Sequence, residues 1–323
     1  MATQFSLSPR SILSLSVLYS LGCAAPSTEA PSARRSALQG DNGKSMNGIA
    51  LNGKSMNGKS MNGGTLAGLT LAGVELTSLR LEGTHLVGVT SGGATLRGAD
   101  FIGAEMVAET SDGDPVAVRL HDIHASDDPD LLLYQIQYAT GTGWEWLCGV
   151  GGDGLPEAAF PVAGRWDPLS GAKVATDGSF VTLACSRAGA VGKCVTAGYK
   201  PWRQVPGCSG AICPTLERHH QACTRMLRAD YCGDGTSHTR EGWSVVLFDS
   251  LGIQNDDHTA YPLQSWLFDA QWDDNGARCF DVNRWPTEPL GTPSCGERHS
   301  PACGSNPTAG FAGGTLIMNW AAW

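Results

Sequence analysis

The sequence predicts an α+β fold: a disulfide-rich domain built on an antiparallel sheet, with two short helices. Three observations support this prediction. Ten of the 11 cysteines lie after residue 147, which is typical of an exported domain cross-linked by disulfides. Short strand-like and helix-like segments, separated by Gly and Pro, follow one another over the same region. A five-residue period precedes them, and a length of 323 residues suggests about two domains.

The net charge of the chain disfavours partners that carry many negative charges. Lys and Arg together number 22, against 31 for Asp and Glu, so the net charge is −9. A nucleic-acid-binding protein would normally present a basic face, and we therefore expect no nucleic-acid partner. No apolar run reaches the roughly 18 residues that a membrane-spanning helix requires, which argues against a protein with several spans.

Residues 1–22 have the composition of a secretory signal peptide, in which Arg10 precedes a short apolar stretch. The segment Ser20-Leu21-Gly22-Cys23 resembles the lipobox of bacterial lipoproteins. This resemblance implies cleavage before Cys23, lipid on its thiol and a membrane as partner. Because Ala24 follows, it also implies the outer membrane or cell surface of a Gram-negative bacterium. Secretion without a lipid is the alternative.

Residues 44–108, which follow a predicted flexible linker over 23–43, carry a five-residue repeat. Twelve of thirteen positions spaced by five are apolar, and a period of five predicts a square coil with these side chains inside. The run Ala99-Asp100-Phe101 resembles the pentapeptide-repeat family, which implies a short right-handed β-helix. Lysines occupy places that this family keeps small within residues 44–63, so we expect loose coiling there. A Gly/Asn-rich linker is the alternative interpretation.

Residues 110–323 form the predicted cysteine-rich α+β domain. Alternating or apolar runs predict its strands, and single stripes bounded by Gly or Pro predict its helices. An Asn-Gly pair at 275–276 predicts a hairpin. The predicted strands cover 116–120, 131–138, 179–185, 243–249, 266–272 and 277–282, and the predicted helices cover 186–197 and 215–230.

The cysteines of this domain are expected to form disulfides rather than a metal site, because none shows the Cys-x2-Cys spacing of a zinc site. Short separations favour the pairs Cys208–Cys213 and Cys295–Cys303. The pairing of the other six stays open. The ten residues are Cys148, Cys185, Cys194, Cys208, Cys213, Cys223, Cys232, Cys279, Cys295 and Cys303.

The run Ala229-Asp230-Tyr231-Cys232-Gly233-Asp234-Gly235 resembles the motif that names the ADYC domain, a family of predicted bacterial lipoproteins known mostly from myxobacteria. Residues 194–202 and residues 268–279 resemble two further blocks of that family. The three blocks together cover roughly residues 110–285. The resemblance implies a domain type and supplies no catalytic residues, because the family has no established activity.

The densest polar cluster of the sequence includes Asp230, Asp234 and His238. If the stripe of the second helix continues, Asp230 points inward and accepts hydrogen bonds from N–H groups of its own turn, which is a structural role. The alternative is catalysis in which Asp230 or Asp234 orients His238 as a base, as in a cell-envelope hydrolase. No Gly-x-Ser-x-Gly motif accompanies them, so we favour the structural role. We expect no cofactor and no metal.

Trp144 and Trp146 share one strand face by spacing, and they are the candidates for an exposed binding pair. Exposed tryptophans on exported proteins stack on sugars or fill interfaces, although most tryptophans build the core. His121 and His124 are expected to be ordinary histidines rather than metal ligands. The sequence therefore predicts a lipid-anchored cell-envelope protein that acts as a non-catalytic binding or structural module. Its expected partner is an envelope glycan or protein.

Overall fold

The structure, a computed structural model, describes part of the chain. The described residues are 64–65, 70–71, 73–109, 114–167, 170–175, 180–210, 212–239, 244–255, 266–281, 284, 293–296, 301–304 and 311–322. Cys23, the predicted signal peptide and linker, and the repeats over 44–63 lie outside these residues. Within them, no helix has both the length and the apolar character needed to cross a membrane.

Strands dominate the described residues, which also contain two α-helices and short 3-10 helices at Gly98–Phe101 and Ala312–Gly314. The strands are β1 (Gly64–Thr65), β2 (Thr70–Leu71), β3 (Val74–Glu75), β4 (Ser78–Glu82), β5 (His85–Val89), β6 (Thr95–Arg97), β7 (Glu105–Glu109), β8 (Pro115–Ala125), β9 (Leu132–Thr140), β10 (Gly143–Trp146), β11 (Ala159–Ala163), β12 (Arg165–Trp166), β13 (Lys173–Ala175), β14 (Phe180–Cys185), β15 (Val245–Asp249), β16 (Trp266–Asp273), β17 (Gly276–Phe280) and β18 (Ile317–Ala322). The helices are α1 (Ala190–Thr196) and α2 (Glu217–Arg228).

Nine strands form the largest sheet. Eight of them follow the order β1-β14-β11-β9-β8-β7-β2-β3. The ninth, β10, pairs with residues 137–140 of β9, whereas β11 pairs with β9 at Tyr134. A second sheet has the order β15-β18-β16-β17, a third has the order β4-β5-β6, and β12 pairs with β13. All the pairings are antiparallel. Antiparallel sheets, two helices and five disulfides agree with the predicted disulfide-rich α+β class.

Strands β8 and β9 separate an apolar face from a polar face by simple alternation. Val118 and Leu120 of β8, with Tyr134 and Ile136 of β9, are almost completely buried in the core. Each such side chain contributes about 1.5–3 kcal/mol when it leaves water. The side chains between them, such as Arg119, point to the opposite, solvent-facing side of the sheet. The strands predicted over 116–120 and 131–138 are thus confirmed, and β8 extends further to Ala125.

Helix α2 forms a layer between α1 and the second sheet, since it contacts α1, β16, β17 and β18. It ends at Ala229, which has a left-handed φ of 50°, and the N–H of Asp230 donates to the carbonyl of Arg225 at 3.0 Å. Gly198 follows α1 with a φ of +103°, a conformation that favours glycine after the end of a helix. The predicted stripe of α2 is buried, namely Leu216, His220, Cys223 and Leu227.

The predicted β-helix is not confirmed, since most of residues 44–72 lie outside the described part of the chain. β5 pairs antiparallel with β4 and with β6, whereas the coils of a β-helix pair in parallel. The chain reverses at Gly83, whose φ of +64° favours glycine. Leu86, Phe101 and Met106 are buried, so the five-residue period correctly marks inward side chains without fixing the direction of the chain. β7 carries the last repeat and pairs with β8 inside the largest sheet.

Five disulfides join the ten cysteines after residue 147. The predicted pair Cys208–Cys213 is confirmed, and the predicted pair Cys295–Cys303 is wrong. The segment around Cys303 lies along the β16–β17 hairpin, where the N–H of Phe280 donates to the carbonyl of Pro301 at 3.1 Å. This contact brings Cys303 to Cys279 and leaves Cys295 to a more distant partner. The other pairs are Cys148–Cys185, Cys194–Cys223 and Cys232–Cys295.

Candidate functional site

The Asp-Tyr-Cys turn, residues 229–235, follows α2 directly and joins the helix layer to the second sheet. The N–H of Ala277 in β17 donates to the carbonyl of Tyr231 at 2.9 Å. A Cβ on Gly276 would lie 2.8 Å from that carbonyl oxygen and 2.8 Å from the nitrogen of Gly233, and its φ is +129°. Only glycine fits this approach, so the predicted Asn-Gly hairpin is also what lets β16 and β17 pack against the turn.

The carboxylate of Asp230 is completely buried and its partners belong to the protein itself. Both of its oxygens accept a hydrogen bond from the N–H of Gly235 at 3.1 Å. Oδ2 also forms an ion pair with Nη1 of Arg225, whose side chain is 5% exposed. The same Arg225 nitrogen donates to the carbonyl of Ser170. The bond from the turn's own backbone is the one expected from the sequence, and the arginine partner was not foreseen.

A second buried arginine, Arg228, also contacts this turn. Its Nη2 donates to the carbonyl of Gly235, and its own carbonyl accepts a bond from the hydroxyl of Ser237 at 2.9 Å. Burial lowers the pKa of the Arg228 guanidinium, and the nearby charge of Asp230 opposes that effect. The turn therefore concentrates two buried cations around one buried carboxylate, which makes Asp230 the counter-charge of the cluster.

Tyr231 extends the turn into the second sheet. Its hydroxyl donates to Oδ1 of Asp269 at 2.6 Å and accepts from the N–H of Arg284 at 3.2 Å. Its ring lies 5.2 Å from that of Trp272 and 4.9 Å from that of Phe280. Burial, followed by the charge of Asp269, raises the pKa of the Tyr231 hydroxyl well above its usual value. The phenol is therefore a neutral hydrogen-bond donor.

Asp269 is the centre of this buried polar network. Its Oδ2 accepts from Nε of Arg284 at 2.6 Å and from Nδ2 of Asn319 at 2.8 Å, and the Asp269 and Arg284 side chains are both almost fully buried. Asn319 in turn accepts from the indole N–H of Trp272 at 2.7 Å. The network links β16, β18 and the turn, so it ties the sheet to the motif.

The other two residues of the motif, Ala229 and Cys232, also have structural roles. Ala229 supplies the left-handed residue that ends α2, and its side chain is buried in the core. Cys232 is bonded to Cys295, 63 residues away in the sequence. Each residue of the Ala-Asp-Tyr-Cys motif therefore fixes the turn to a different neighbour: the core, a buried arginine, the second sheet and a distant segment.

Of the three candidate catalytic residues, Asp230 and Asp234 lie in the Asp-Tyr-Cys turn and His238 follows it, and their environments differ. Asp234 is exposed, and its Oδ1 accepts from the N–H of Thr236 at 2.8 Å, which caps the turn locally. His238 is 4% exposed, and its ring lies 5.8 Å from the ring of Tyr231. Asp230 is bonded to Arg225 and Gly235 as described above. The exposed carboxylate and the two buried side chains thus present no shared polar surface.

The family comparison matches this architecture. The model of the ADYC domain matches residues 98–286, which is more than half of the chain. The chain belongs to the ADYC domain family. The ADYC match begins in the 3-10 helix before β7 and includes both α-helices, the Asp-Tyr-Cys turn and the β16–β17 hairpin. No curated protein and no solved structure matches the chain.

The second candidate site of this ADYC protein is the aromatic pair on β10. Trp144 and Trp146 lie on one face and are partly exposed, as their spacing predicts, while Glu145 points to the other face and accepts a bond from the Tyr138 hydroxyl at 2.8 Å. The ring of Trp146 makes an edge contact with His121 at 4.9 Å. The guanidinium of Arg119 lies over the ring of Trp144 at 4.3 Å.

Strand pairing continues this surface as a polar row across four strands. Trp146 of β10 is opposite Gln137 of β9, Gln137 is opposite Arg119 of β8, and Arg119 is opposite Glu105 of β7. Directly paired residues share a face of the sheet, so these side chains stand side by side. Nε of Arg119 donates to Oε1 of Gln137 at 2.7 Å, which holds the middle of the row in place.

The two histidines predicted to be ordinary side chains both lie on β8. His121 and His124 are both exposed, and in the part of the chain that the structure describes no group of three or more His, Cys, Asp or Glu side chains could hold a metal ion. His121 instead contacts Trp146. It does so at an irregularity in the pairing of β8 with β9, between Leu120 and Asp122. Such a bulge re-aims a side chain, which is why the alternation rule alone could not place His121.

Proposed function

We propose that this protein is an exported, lipid-anchored module of the bacterial cell envelope that binds a partner and catalyses no reaction. The observation that carries the proposal is the state of Asp230, the carboxylate of the family's motif. It is completely buried and bonded to Arg225 and to its own turn. A general base or nucleophile has to reach a substrate, and a carboxylate with this role does not. The motif is then a structural device of the family.

Export is supported by the disulfides. All ten cysteines after residue 147 are paired, and such bonds persist in oxidising compartments. Lipid anchoring is proposed from the lipobox-like segment ending at Cys23, and the outer membrane of a Gram-negative bacterium from Ala24 after it. The myxobacterial type is proposed from the ADYC family alone. A lipid on Cys23 would leave the described sheets outside the bilayer, free to meet a partner in the envelope.

Binding, rather than a purely structural role, is supported by the aromatic pair on β10. Trp144 and Trp146 are partly exposed, although most large apolar side chains in the described part of the chain are buried or partly buried. Tryptophan is the residue type most enriched where protein surfaces bind their partners. The two rings are also held by neighbours, so little side-chain entropy would be lost on binding.

The experiment compares His238→Ala and Asp230→Asn with the wild-type protein, by thermal melting and by turnover of peptidoglycan, ester and peptide substrates. We expect no turnover by any of the three proteins. Both variants should have a lower melting temperature, because Asp230→Asn removes the counter-charge of Arg225 and His238→Ala removes a buried ring that packs against Tyr231. Hydrolase activity is the rival function. A His238→Ala protein that keeps its melting temperature but loses a measurable wild-type activity would establish the hydrolase and overturn the proposal.

A further inference from the structure

The solvent-facing side of the largest sheet carries a patch of aromatic and polar side chains, which we call the Trp face. We infer that the Trp face binds a neutral glycan strand; this inference rests on the proposed binding function and names the chemistry of its ligand. The Trp face is defined by its strand-paired and contacting side chains, namely Trp144, Trp146, Gln137, Arg119, Glu105 and His121.

The aromatic side chains of the Trp face match the apolar faces of sugar rings. Two residues apart on β10, Trp144 and Trp146 are separated by about 7 Å along the strand. Both rings are pre-positioned, one by Arg119 at 4.3 Å and the other by His121 at 4.9 Å with an interplanar angle of 84°. Flat, rigid, partly exposed rings offer contact area at a low entropy cost, which suits a ligand with a flat apolar face.

The polar row of the Trp face matches the hydroxyl groups at the edges of sugar rings. Nε of Arg119 is bonded to Gln137, which is only 8% exposed, so the two Nη groups of the guanidinium are the donors that the row offers. The exposed carboxylate of Glu105 supplies acceptors at the end of the row. A hydroxyl both donates and accepts, so a row that offers both kinds of group is complementary to a polyol.

Charge distinguishes a neutral glycan from a charged polymer. The row contains one guanidinium and one carboxylate, Arg119 and Glu105, which lie opposite each other and balance. The chain as a whole has a net charge of −9, which repels polyanions such as nucleic acid or acidic polysaccharide. A surface that is locally neutral on an acidic protein therefore favours an uncharged, hydroxylated ligand.

Size distinguishes a glycan from a protein partner. From β10 to β7 the row crosses three strand spacings, about 14 Å, and the tryptophans add about 7 Å along the strand. The Trp face thus covers on the order of 100 Å², whereas a standard protein interface buries about 800 Å² on each partner. A narrow strip of this kind suits an extended oligosaccharide that lies across the strands.

Titration calorimetry with the purified full-length protein tests the inference. The probes are cellohexaose and chitohexaose, which are neutral, and a hexamer of galacturonic acid, which is anionic. We expect binding of a neutral hexasaccharide and none of the anionic one. Trp144→Ala, Trp146→Ala and Arg119→Ala should each weaken the binding roughly tenfold or more, because each removes part of the contact surface. Trp146→Phe, which keeps a ring, should retain most of the affinity.

Leu155→Ala is the matched control, since Leu155 is 63% exposed and lies outside the Trp face. It should bind as the wild type does. Melting temperatures of all the variants separate lost contacts from lost folding, and Trp146→Phe keeps the test valid if an alanine variant fails to fold. Absence of binding to both neutral probes would overturn the inference, as would equal binding by Trp146→Ala and the wild type.

Two further outcomes separate the inference from the proposed function. A wild-type dimer that Trp146→Ala dissociates, measured by sedimentation, would overturn the glycan and identify a second copy of the chain as the occupant. Retention on purified peptidoglycan sacculi without binding to either neutral hexasaccharide would also overturn the inference and leave the binding module standing. Release of shorter fragments from a bound hexasaccharide would overturn the non-catalytic function and keep the binding site.

Discussion

Replacement of Asp230 by alanine should destabilise the fold far more than its position in a turn suggests. The substitution leaves the guanidinium of Arg225 buried without its counter-charge, and Arg228 stays in the same cluster. Removal of one partner of a buried ion pair costs about 3–5 kcal/mol. The loss of the acceptor for the N–H of Gly235 is part of that cost. For a domain of this size, about 2–4 °C of melting temperature corresponds to 1 kcal/mol, so the expected decrease is about 6–20 °C.

Differential scanning calorimetry of Asp230→Ala measures this decrease, and Asp234→Ala is the matched control. Asp234 is an aspartate of the same turn, but its side chain is exposed and accepts a hydrogen bond from the N–H of Thr236. Its replacement should cost less than about 1 kcal/mol. The double variant Arg225→Met/Asp230→Leu removes one buried ion pair and should recover only part of the lost stability, because Arg228 stays buried beside the altered turn. An Asp230→Ala protein that melts within 2 °C of the wild type would refute the structural role of the motif.

Three further predictions concern the disulfides, acid stability and the lipid. Alkylation without reductant should label none of the ten paired cysteines, as measured by mass spectrometry. Reduction should unfold the domain, as measured by near-UV circular dichroism, because each disulfide adds about 2–4 kcal/mol to the free energy of unfolding. Burial lowers the pKa of His220 to about 3, so between pH 6.5 and pH 3 the unfolded chain binds a proton at this residue and the native state does not. The free energy of unfolding should therefore decrease as the pH falls from 6.5 toward 3. Urea unfolding at several pH values measures this slope, which His220→Gln should reduce. Cys23→Ser should leave an uncleaved precursor that partitions with soluble protein, and an intact mass showing an unmodified chain that starts well after Cys23 would contradict the lipid.

Local patterns predicted the elements because the information for each lies within a few residues. Alternation in β8 and β9, the Asn-Gly turn before β17 and the stripe of α2 all depend on neighbours in the sequence. The five-residue period is also local, and it identified which side chains face inward. It could not give the direction of the next strand, because the reversal at Gly83 produces the same inward spacing as a continuing coil.

Pairings between distant segments could not be predicted in this way. Short separation was the only guide to the disulfides, and it succeeded for Cys208–Cys213, which closes a loop between neighbouring residues. It failed for Cys295, because its partner Cys232 is set by how the turn after α2 packs. Connectivity of this kind is decided by tertiary packing, which sequence spacing does not contain.

In the candidate site too, local features could be predicted from the sequence and distant partners could not. The inward direction of Asp230 followed from the helical stripe, but its partner Arg225 did not, although five residues separate them. A basic residue in the last turn of a helix is the signal that could have been used. The partners of Trp146 in the Trp face could not be found from sequence, because Gln137 reaches it through strand register and His121 through a bulge.

Strand β18 lies between β15 and β16 in the second sheet, although it follows both of them in the sequence. Among the strands in the described residues, β18 alone pairs with β15, from Val245 opposite Ala321 to Asp249 opposite Ile317. While the chain is being made, the backbone groups of β15 therefore lack their strand partner until β18 is available. Such an edge is a template for aggregation and a target for chaperones and proteases. The strand order therefore makes the interval before β18 is available the stage at which β15 is most exposed to pairing with other chains.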